Sequence, residues 1–241
     1  MEKPNSSTYG VTIAFSLASV AIPFIFKYYG AQAIIPVILM MWTLIAYDYT
    51  ASDCPKKNLK TANANGFSTT YVVGTTLFNC ATAYFGVWLI YYLFIEGAEI
   101  YNVNWITIRN MVISIIVAEI CFTFAHKYIL HRWFPSLHKL HHCVRSTSCS
   151  ANYIAGPLDL NLQFGSAIGG NIIAAIFLLD DPVALFWGIV IQLLWYDWDH
   201  DENVKLPHYN HHKYVNSNYN VYISMPDQNA GDVVKKMLKF E

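Results

Sequence analysis

Residues 71–95 read YVVGTTLFNCATAYFGVWLIYYLFI, a run of 25 residues without Asp, Glu, Lys or Arg. The hydrocarbon core of a bilayer is about 30 Å thick, and a helix needs about 20 apolar residues to cross it. This run is therefore long enough to span a membrane as a single helix. Residues 9–26, 31–47 and 106–125 are further runs dominated by apolar residues. The sequence thus predicts about four transmembrane helices.

Two shorter apolar runs follow, at residues 164–179 and 183–196, on either side of an Asp-Asp-Pro sequence. Each is short for a full crossing, so we predict a helix pair that tilts, thins the bilayer locally or forms a re-entrant hairpin. Residues 48–68 differ in character, because they contain several lysines together with Pro55 and Gly66. That segment is typical of a polar loop.

The composition agrees with an all-α integral membrane protein. Charged residues make up 13 % of the 241 residues, whereas an ordinary soluble domain has about 25 %. Hydrophobic residues make up 55 %, and the mean hydropathy is +0.31. The net charge of -1, without a basic face, argues against nucleic acid binding. Five scattered cysteines without a CxxC motif are most simply interpreted as reduced thiols.

The distribution of lysine predicts the orientation. Lys56, Lys57 and Lys60 mark their segment as cytoplasmic, while the segment after residue 95 carries Glu96 and Glu99 and no Lys or Arg before residue 109. We therefore divide the chain into transmembrane helices 1 to 4 (1–125), a region with the first two histidine motifs (126–163), the apolar pair (164–196) and a third motif with a C-terminal cap (197–241). The histidine-bearing regions are predicted to form a cytoplasmic, histidine-rich cap.

The histidines indicate a metal site. Two groups share the spacing HxxHH, at 138–142 (HKLHH) and 208–212 (HYNHH). At about 100° per residue, such a triplet in a helix covers one face and directs three imidazoles to one point. Burying so many polar nitrogens beside a membrane is costly unless something satisfies them. The whole set, all of it within residues 126–212, is His126, His131, His138, His141, His142, His200, His208, His211 and His212.

Imidazole ligands favour Fe, Zn, Cu or Ni. Nine ring nitrogens exceed one coordination sphere, so we predict two metal ions. His126 and His131 are five residues apart, which places them roughly 140° apart around an α-helix. They therefore either bind different metals or lie where the helix is distorted.

Several carboxylates are candidates for orienting these ligands. Asp197, Asp199 and Asp201 flank His200, and one of them could accept the free N–H of an imidazole. A solvated acidic face is an equally good interpretation for each. Glu119 precedes His126 by about two helical turns, and a carboxylate inside an apolar helix is a candidate functional residue.

In the order of these motifs, the chain resembles the fatty acid hydroxylase/sterol desaturase superfamily, the membrane-bound di-iron oxygenases with histidine boxes. The resemblance covers residues 119–219. It includes an HR pair, an HKxHH box, a PLD stretch after that box, an HxxNxxLP segment and a final NY. These are His131-Arg132, residues 138–142, Pro157-Leu158-Asp159, the set His200, Asn203, Leu206 and Pro207, and Asn218-Tyr219.

The resemblance implies an integral-membrane, iron-dependent oxidoreductase with two Fe ions held by the nine histidines and no catalytic residue beyond these ligands. It implies O2 as co-substrate and hydroxylation or desaturation of a C–H bond in a sterol, fatty acyl chain or sphingolipid. Electrons are expected from NAD(P)H through cytochrome b5 and its reductase. The expected setting is lipid biosynthesis in the endoplasmic reticulum, with the histidine boxes facing the cytoplasm.

Two features differ from the family pattern. Pro135 stands where many members have a histidine, with His126 as a replacement ligand, and the segment from His200 to His208 is short. A catalytically degenerate family member is therefore one alternative. A bis-His haem cytochrome is another, and it needs histidine pairs well inside apolar helices. A divalent-metal transporter is the third, and it needs ligands near the middle of the membrane.

Overall fold

A computed structural model describes residues 6–145, 148–201, 203–204 and 207–214. Over these residues the chain is helical and contains no strand, which confirms the predicted all-α class. The α-helices are α1 (Ser6–Tyr29), α2 (Ile34–Ala51), α3 (Cys54–Ala64), α4 (Thr69–Ile90), α5 (Trp105–Thr123), α6 (Pro157–Ile172), α7 (Pro182–Asp199) and α8 (Pro207–Tyr214). Three of them continue into π-helical turns, α4 into Tyr91–Ile95, α5 into Phe124–Trp133 and α6 into Ile173–Leu178.

Among the described residues, four helical stretches are long and apolar enough to cross a membrane, which is the predicted number, although the first contains two predicted runs and the last includes a run predicted to be short. They are Thr8–Ala51, Thr69–Ile95, Trp105–Trp133 and Pro157–Leu178. Apolar side chains on these stretches remain more than half exposed, which suits a lipid environment better than water. Examples are Ile13, Leu17, Leu39, Phe78, Ile116, Ile120 and Phe177.

The first stretch contains a hairpin of α1 and α2. Gly30 has φ +55° and begins the 3-10 turn Gly30–Ala33, where a glycine accepts the left-handed backbone at little cost. Near the other end of the hairpin, Gly10 of α1 lies beside the Tyr47 hydroxyl of α2. The two predicted runs at 9–26 and 31–47 therefore pack against each other as separate helices.

The remaining helices pack around this hairpin. α7 contacts α1, α5 contacts both α6 and α7, and α2 contacts α4. The ends of α2, α5 and α7 and the starts of α1, α4 and α6 all lie at one end of the bundle. Contacts between these ends and the loops show this, such as the hydrogen bond from Thr12 of α1 to Asp201 after α7. That end carries the histidines.

Several helix starts follow from local chemistry. The side chains of Ser68, Asn104 and Asp181 accept hydrogen bonds from backbone N–H groups in the first turns of α4, α5 and α7. Such capping satisfies donors that have no partner within the helix. Proline occupies the first turn of α3, α6 and α7, where its missing N–H costs nothing.

Two boundary predictions were wrong. Residues 48–68 are not simply a loop, because α3 forms there and buries Asn58 and Ala62 against the region after the first HxxHH motif. The first member of the apolar pair begins at Pro157 rather than at residue 164. Its first two turns contain several polar side chains, so the apolar run in the sequence begins later than the helix does. With those turns included, this helix is long enough to cross the membrane.

The contact between α5 and α6 depends on Gly170. A Cβ atom at this position would lie 2.5 Å from Ala118 Cα and 2.9 Å from its backbone nitrogen, so the two helices meet backbone to backbone. We expect Gly170→Ala to force them apart and to lower the free energy of unfolding by about 1–3 kcal/mol. The measurement is thermal unfolding of the purified protein in detergent.

The neighbouring glycine provides the control. A Cβ atom at Gly169 meets nothing within 4 Å, so Gly169→Ala should be neutral or stabilise the helix by up to about 1 kcal/mol. Equal melting temperatures for the two variants would contradict the close approach at Gly170.

Candidate metal centre

The first two histidines lie on a distorted part of the fifth helix. His126 and His131 are both within the π-helical turns Phe124–Trp133, and both are completely buried. A π-helix forms i→i+5 hydrogen bonds, so residues five apart come to lie above one another. Their ring centroids are 4.9 Å apart. The sequence left two alternatives for this pair, binding to different metals or a distorted helix. The structure shows a distorted helix, with both side chains on one face.

The two HxxHH motifs reach the site through different local structures. His208, His211 and His212 lie on α8, as the helical periodicity predicts. The 138–142 motif lies instead in turns that follow Pro135 and end in the 3-10 turn His141–Cys143. These turns are tight, because the His138 N–H donates to the Pro135 carbonyl at 3.2 Å. His200 caps the C-terminal end of α7.

The nine histidines form two buried groups. The first group contains five of them, and the second contains four. Each side chain is at most 2 % exposed. Within each group one potential ligand atom per residue lies within 4.8 Å of all the others. The first group is His126, His131, His138, His142 and His211, and the second is His141, His200, His208 and His212.

The spacing of ring nitrogens in the first group fits a shared cation. The Nε2 atoms of His131, His142 and His211 form a triangle with sides of 3.0, 3.0 and 3.2 Å. A neutral imidazole has only one N–H, so three such short contacts cannot all be good hydrogen bonds. Two nitrogens that each lie 2.0–2.1 Å from one ion are separated by about 2.8–3.4 Å at octahedral to tetrahedral angles. The triangle therefore suits a metal better than a hydrogen-bond network.

The second group supports the same interpretation. Nε2 of His200 lies 3.1 Å from Nε2 of His141. Among the described residues, neither ring nitrogen of His208 has a hydrogen-bond partner, and the same is true of Nε2 of His212. Buried polar atoms without a partner are rare and costly, and a metal would satisfy them.

Oxygen acceptors orient four of the imidazoles. His141 and His212 place Nδ1 at 3.1 Å from the backbone carbonyls of Ile154 and Val144. His138 places Nδ1 at 2.8 Å from Asp159 Oδ1, and His200 places Nδ1 in hydrogen-bond contact with Asp199 Oδ1. Because Nδ1 donates to oxygen, Nε2 is left as the ligand atom.

Of the three aspartates that flank His200, one orients an imidazole, as the sequence allowed. Asp199 does orient an imidazole, but Asp197 contacts Ser19 and Asp201 contacts Thr12, so neither does so through its described hydrogen bonds. Asp197 and Asp201 both contact α1, whereas Asp199, two residues from Asp197, faces the other side of α7. Glu119 is buried within α5 at 6 % exposure.

Asp159 is a partner of His138 that the sequence motifs did not predict. Asp159 is fully buried, lies in the first turn of α6 and also accepts a hydrogen bond of 2.9 Å from Gln163 Nε2. The available signal was the PLD stretch at 157–159, which carried the family resemblance but was not assigned a role. The contact joins residues 21 positions apart, so no local periodicity reveals it.

Burial keeps the imidazoles outside the spanning stretches neutral. It lowers the pKa of His141 to about 4, with the neighbouring His138 acting in the same direction. Burial first, and neighbouring histidines second, lower the pKa values of His142, His200, His208 and His212 well below the ordinary range. Neutral imidazoles are the form that binds metal, so the site is ready for a cation at neutral pH.

Other residues singled out from the sequence lie away from the groups or outside the described residues. The five cysteines are free and belong to neither group. Burial raises the pKa of Cys143 to about 12, so its thiol stays protonated. Leu206 and Asn218-Tyr219, which contribute to the family resemblance, are outside the described residues.

Comparison with known proteins agrees with the histidine pattern. The model of the fatty acid hydroxylase family matches residues 111–231, which is half of the chain. The match begins within α5 and includes all nine histidines. Searches of curated proteins and of solved structures returned no match.

Proposed function

The chain belongs to the fatty acid hydroxylase family, and from this premise we propose that it is an iron-dependent membrane oxidoreductase that hydroxylates a C–H bond of a lipid. Desaturation of the same kind of substrate is the alternative outcome. The observation that carries the proposal is the division of nine buried histidines into groups of five and four. An imidazole-only donor set suits iron, and two groups suit two ions.

Each group has a distinct task in this proposal. The group of five would hold one iron and the group of four the other. Bound there, the two irons would supply O2 activation and oxidation of an unactivated C–H bond, with electrons delivered from outside. Asp159 and Asp199 hold His138 and His200 in the orientation that presents Nε2. Phe122, whose ring packs on His126 and His208, excludes water from one side.

The position of the site at one end of the bundle favours a lipid substrate. His126 and His131 lie at the end of the spanning stretch Trp105–Trp133, and α7 leads directly into His200. A lipid that enters between spanning helices would reach both groups from the bilayer. A sterol, a fatty acyl chain and a sphingolipid all fit this route.

The orientation is also part of the proposal. α3 carries Lys56, Lys57 and Lys60, and it packs beside the histidine end, where Asn58 accepts a hydrogen bond of 3.0 Å from the Arg145 N–H. Because lysine-rich segments face the cytoplasm, we place the histidines there. A cytoplasmic site would receive electrons from NAD(P)H through a cytochrome b5-type donor. The endoplasmic reticulum is the membrane we propose.

The other functions are less well supported. The two axial imidazoles of a haem lie on opposite faces of the macrocycle, whereas His131, His142 and His211 contact one another directly. A transporter needs ligands near the middle of the membrane, but both groups lie at one end of the bundle. A degenerate enzyme would lack ligands, yet the first group has five histidines, with His126 as the replacement for the one absent at Pro135.

The test is oxidation of lipids by the purified protein under 18O2. The iron-loaded protein in detergent receives NAD(P)H, a cytochrome b5 reductase pair and, separately, a sterol, a fatty acyl lipid and a sphingolipid. Mass spectrometry should find one 18O atom in a hydroxylated product. Loss of two hydrogens without 18O would indicate desaturation. If no lipid is oxidised in an iron-dependent manner, the proposal is wrong.

A further inference from the structure

A small polar cavity lies near the histidine end of the bundle, outside both histidine groups. Oxygen-bearing side chains contribute to its wall from the end of α2, from the loop before the 3-10 turn Cys149–Tyr153 and from the segment after α7. These side chains are Asp48, Ser52, Ser148, Asp201 and Asn203; Thr8 of α1 adds a further hydroxyl, and Val11 and Cys54 complete the wall. The cavity has a volume of about 10 Å³, which is room for one water-sized occupant.

Asp48 has an oxygen without a partner. The side chain is completely buried, and its Oδ2 accepts hydrogen bonds from Ser150, with the hydroxyl at 2.5 Å and the backbone N–H at 3.3 Å. Its Oδ1 accepts no hydrogen bond from any described residue. Ser150 is not part of the cavity wall. Asp48 therefore brings a carboxylate with one unpartnered oxygen to the wall of the cavity.

Asn203 presents a second unpartnered oxygen. Its Nδ2 donates to Thr12 Oγ1 at 3.0 Å, which fixes the orientation of the amide. Its Oδ1 has no partner among the described residues and belongs to a side chain that lines the cavity. Two side chains that each have an unpartnered oxygen, Asp48 at the end of α2 and Asn203 after α7, therefore line the same small cavity.

Asp201 adds a second buried carboxylate to the same wall. It is 2 % exposed and accepts hydrogen bonds from Thr12 Oγ1 at 2.5 Å, Cys149 Sγ at 3.1 Å and the Asn203 N–H at 2.6 Å. Among the described residues of the wall there is no Lys or Arg. Two buried carboxylates without a counter-charge are costly, and a cation between them would offset that cost.

We propose that this cavity is a Ca²⁺ site, separate from the histidine groups. All the side-chain oxygens of its wall are hard donors, which favours Ca²⁺, Mg²⁺ or Mn²⁺ over metals that prefer imidazole. Mg²⁺ usually keeps several of its waters. The cavity holds about one water-sized occupant, and Ca²⁺ tolerates an irregular shell made largely of protein oxygens. The two carboxylates supply the charge, and Asn203, Ser52 and Ser148 supply neutral oxygens.

Binding of Ca²⁺ here would join distant parts of the chain. Asp48 is at the end of α2, and Asp201 follows His200, a member of the four-histidine group. Thr12 connects this segment to α1 through its contacts with Asp201 and Asn203. Occupation of the cavity therefore braces the segment that carries His200 against the N-terminal hairpin.

The test is equilibrium dialysis of the full-length, detergent-purified protein with ⁴⁵Ca²⁺ at pH 7, in the presence of excess Mg²⁺. We expect about one Ca²⁺ per chain with a dissociation constant below about 1 mM, as in carboxylate sites of moderate charge. Asp48→Asn should abolish binding. The matched control is Asp53→Asn, which removes a carboxylate that is 77 % exposed and only five residues away, and it should bind as the wild type does.

Folding of the variants is checked independently. Circular dichroism and iron content show whether Asp48→Asn keeps its helices and histidine site, and Asn203→Ala should weaken Ca²⁺ binding at least several-fold without removing a carboxylate. Ca²⁺, but not Mg²⁺, should raise the Tm of the wild type. Failure of the wild type to bind stoichiometric Ca²⁺, or equal binding by Asp48→Asn, overturns the proposal. Neither result depends on oxygenase activity.

Discussion

Each of the substitutions His211→Ala and His212→Ala should remove one metal ion, and the two variants should lose it from different histidine groups. These neighbours on α8 belong to the five-histidine and the four-histidine group, respectively. We expect the iron content of the purified protein to fall from about two ions per chain to about one in either variant, because a ligand is lost from a buried imidazole shell. Lipid oxidation should fall by about a thousandfold, since several kcal/mol of transition-state stabilisation are lost with the ion.

Tyr209→Phe is the matched control for both variants. Tyr209 lies on the same helix and is only half-buried, so its substitution should leave about two irons in place. Mass spectrometry of freshly prepared protein measures the metal, and circular dichroism monitors the helices. Two irons per chain in His211→Ala or His212→Ala would show that the groups are not the metal sites.

Asp159→Asn and Asp199→Asn should weaken metal binding through the histidines that they orient. Each carboxylate accepts an Nδ1–H, from His138 and His200, respectively. Substitution of such partners typically costs about 10–100-fold in metal affinity, because the imidazole loses its orientation and part of its basicity. Competition with a chelator of known affinity measures the change. The affected ion should belong to the five-histidine group for Asp159 and to the four-histidine group for Asp199.

Asp197→Asn separates this effect from a general effect of removing a buried charge. Asp197 is equally buried, lies two residues from Asp199 on α7 and contacts Ser19 of α1 instead of a histidine. Its substitution should leave the affinity for iron within about twofold of wild type, as expected when no ligand partner changes. If all three variants lose affinity equally, the carboxylates do not act through individual imidazoles.

The sequence predicts the spanning stretches because hydropathy is a local property of the chain. The apolar character of residues 71–95 does not depend on the rest of the fold, and the structure places them in a helix of about that length. The prediction was wrong where local composition was ambiguous. Lys57 and Lys60 lower the hydropathy of the α3 segment, and Asp159 and Gln163 lower that of the first turns of α6, so neither was predicted to be helical. Those helices form because their polar side chains find partners elsewhere in the bundle, such as the bond between Asn58 and Arg145.

The sequence by itself determined the all-α class with apolar spans, the family and the nine histidines as candidate ligands, because apolar runs and HxxHH spacings are local patterns of a few residues. Only the tertiary structure decided how those histidines divide. His211 meets His131 across 80 positions of the chain, and Asp159 meets His138 across 21. The π-helical distortion that aligns His126 with His131 is likewise invisible to a fixed helical period. Contacts of this kind depend on packing between helices, which brings together residues that no local pattern relates.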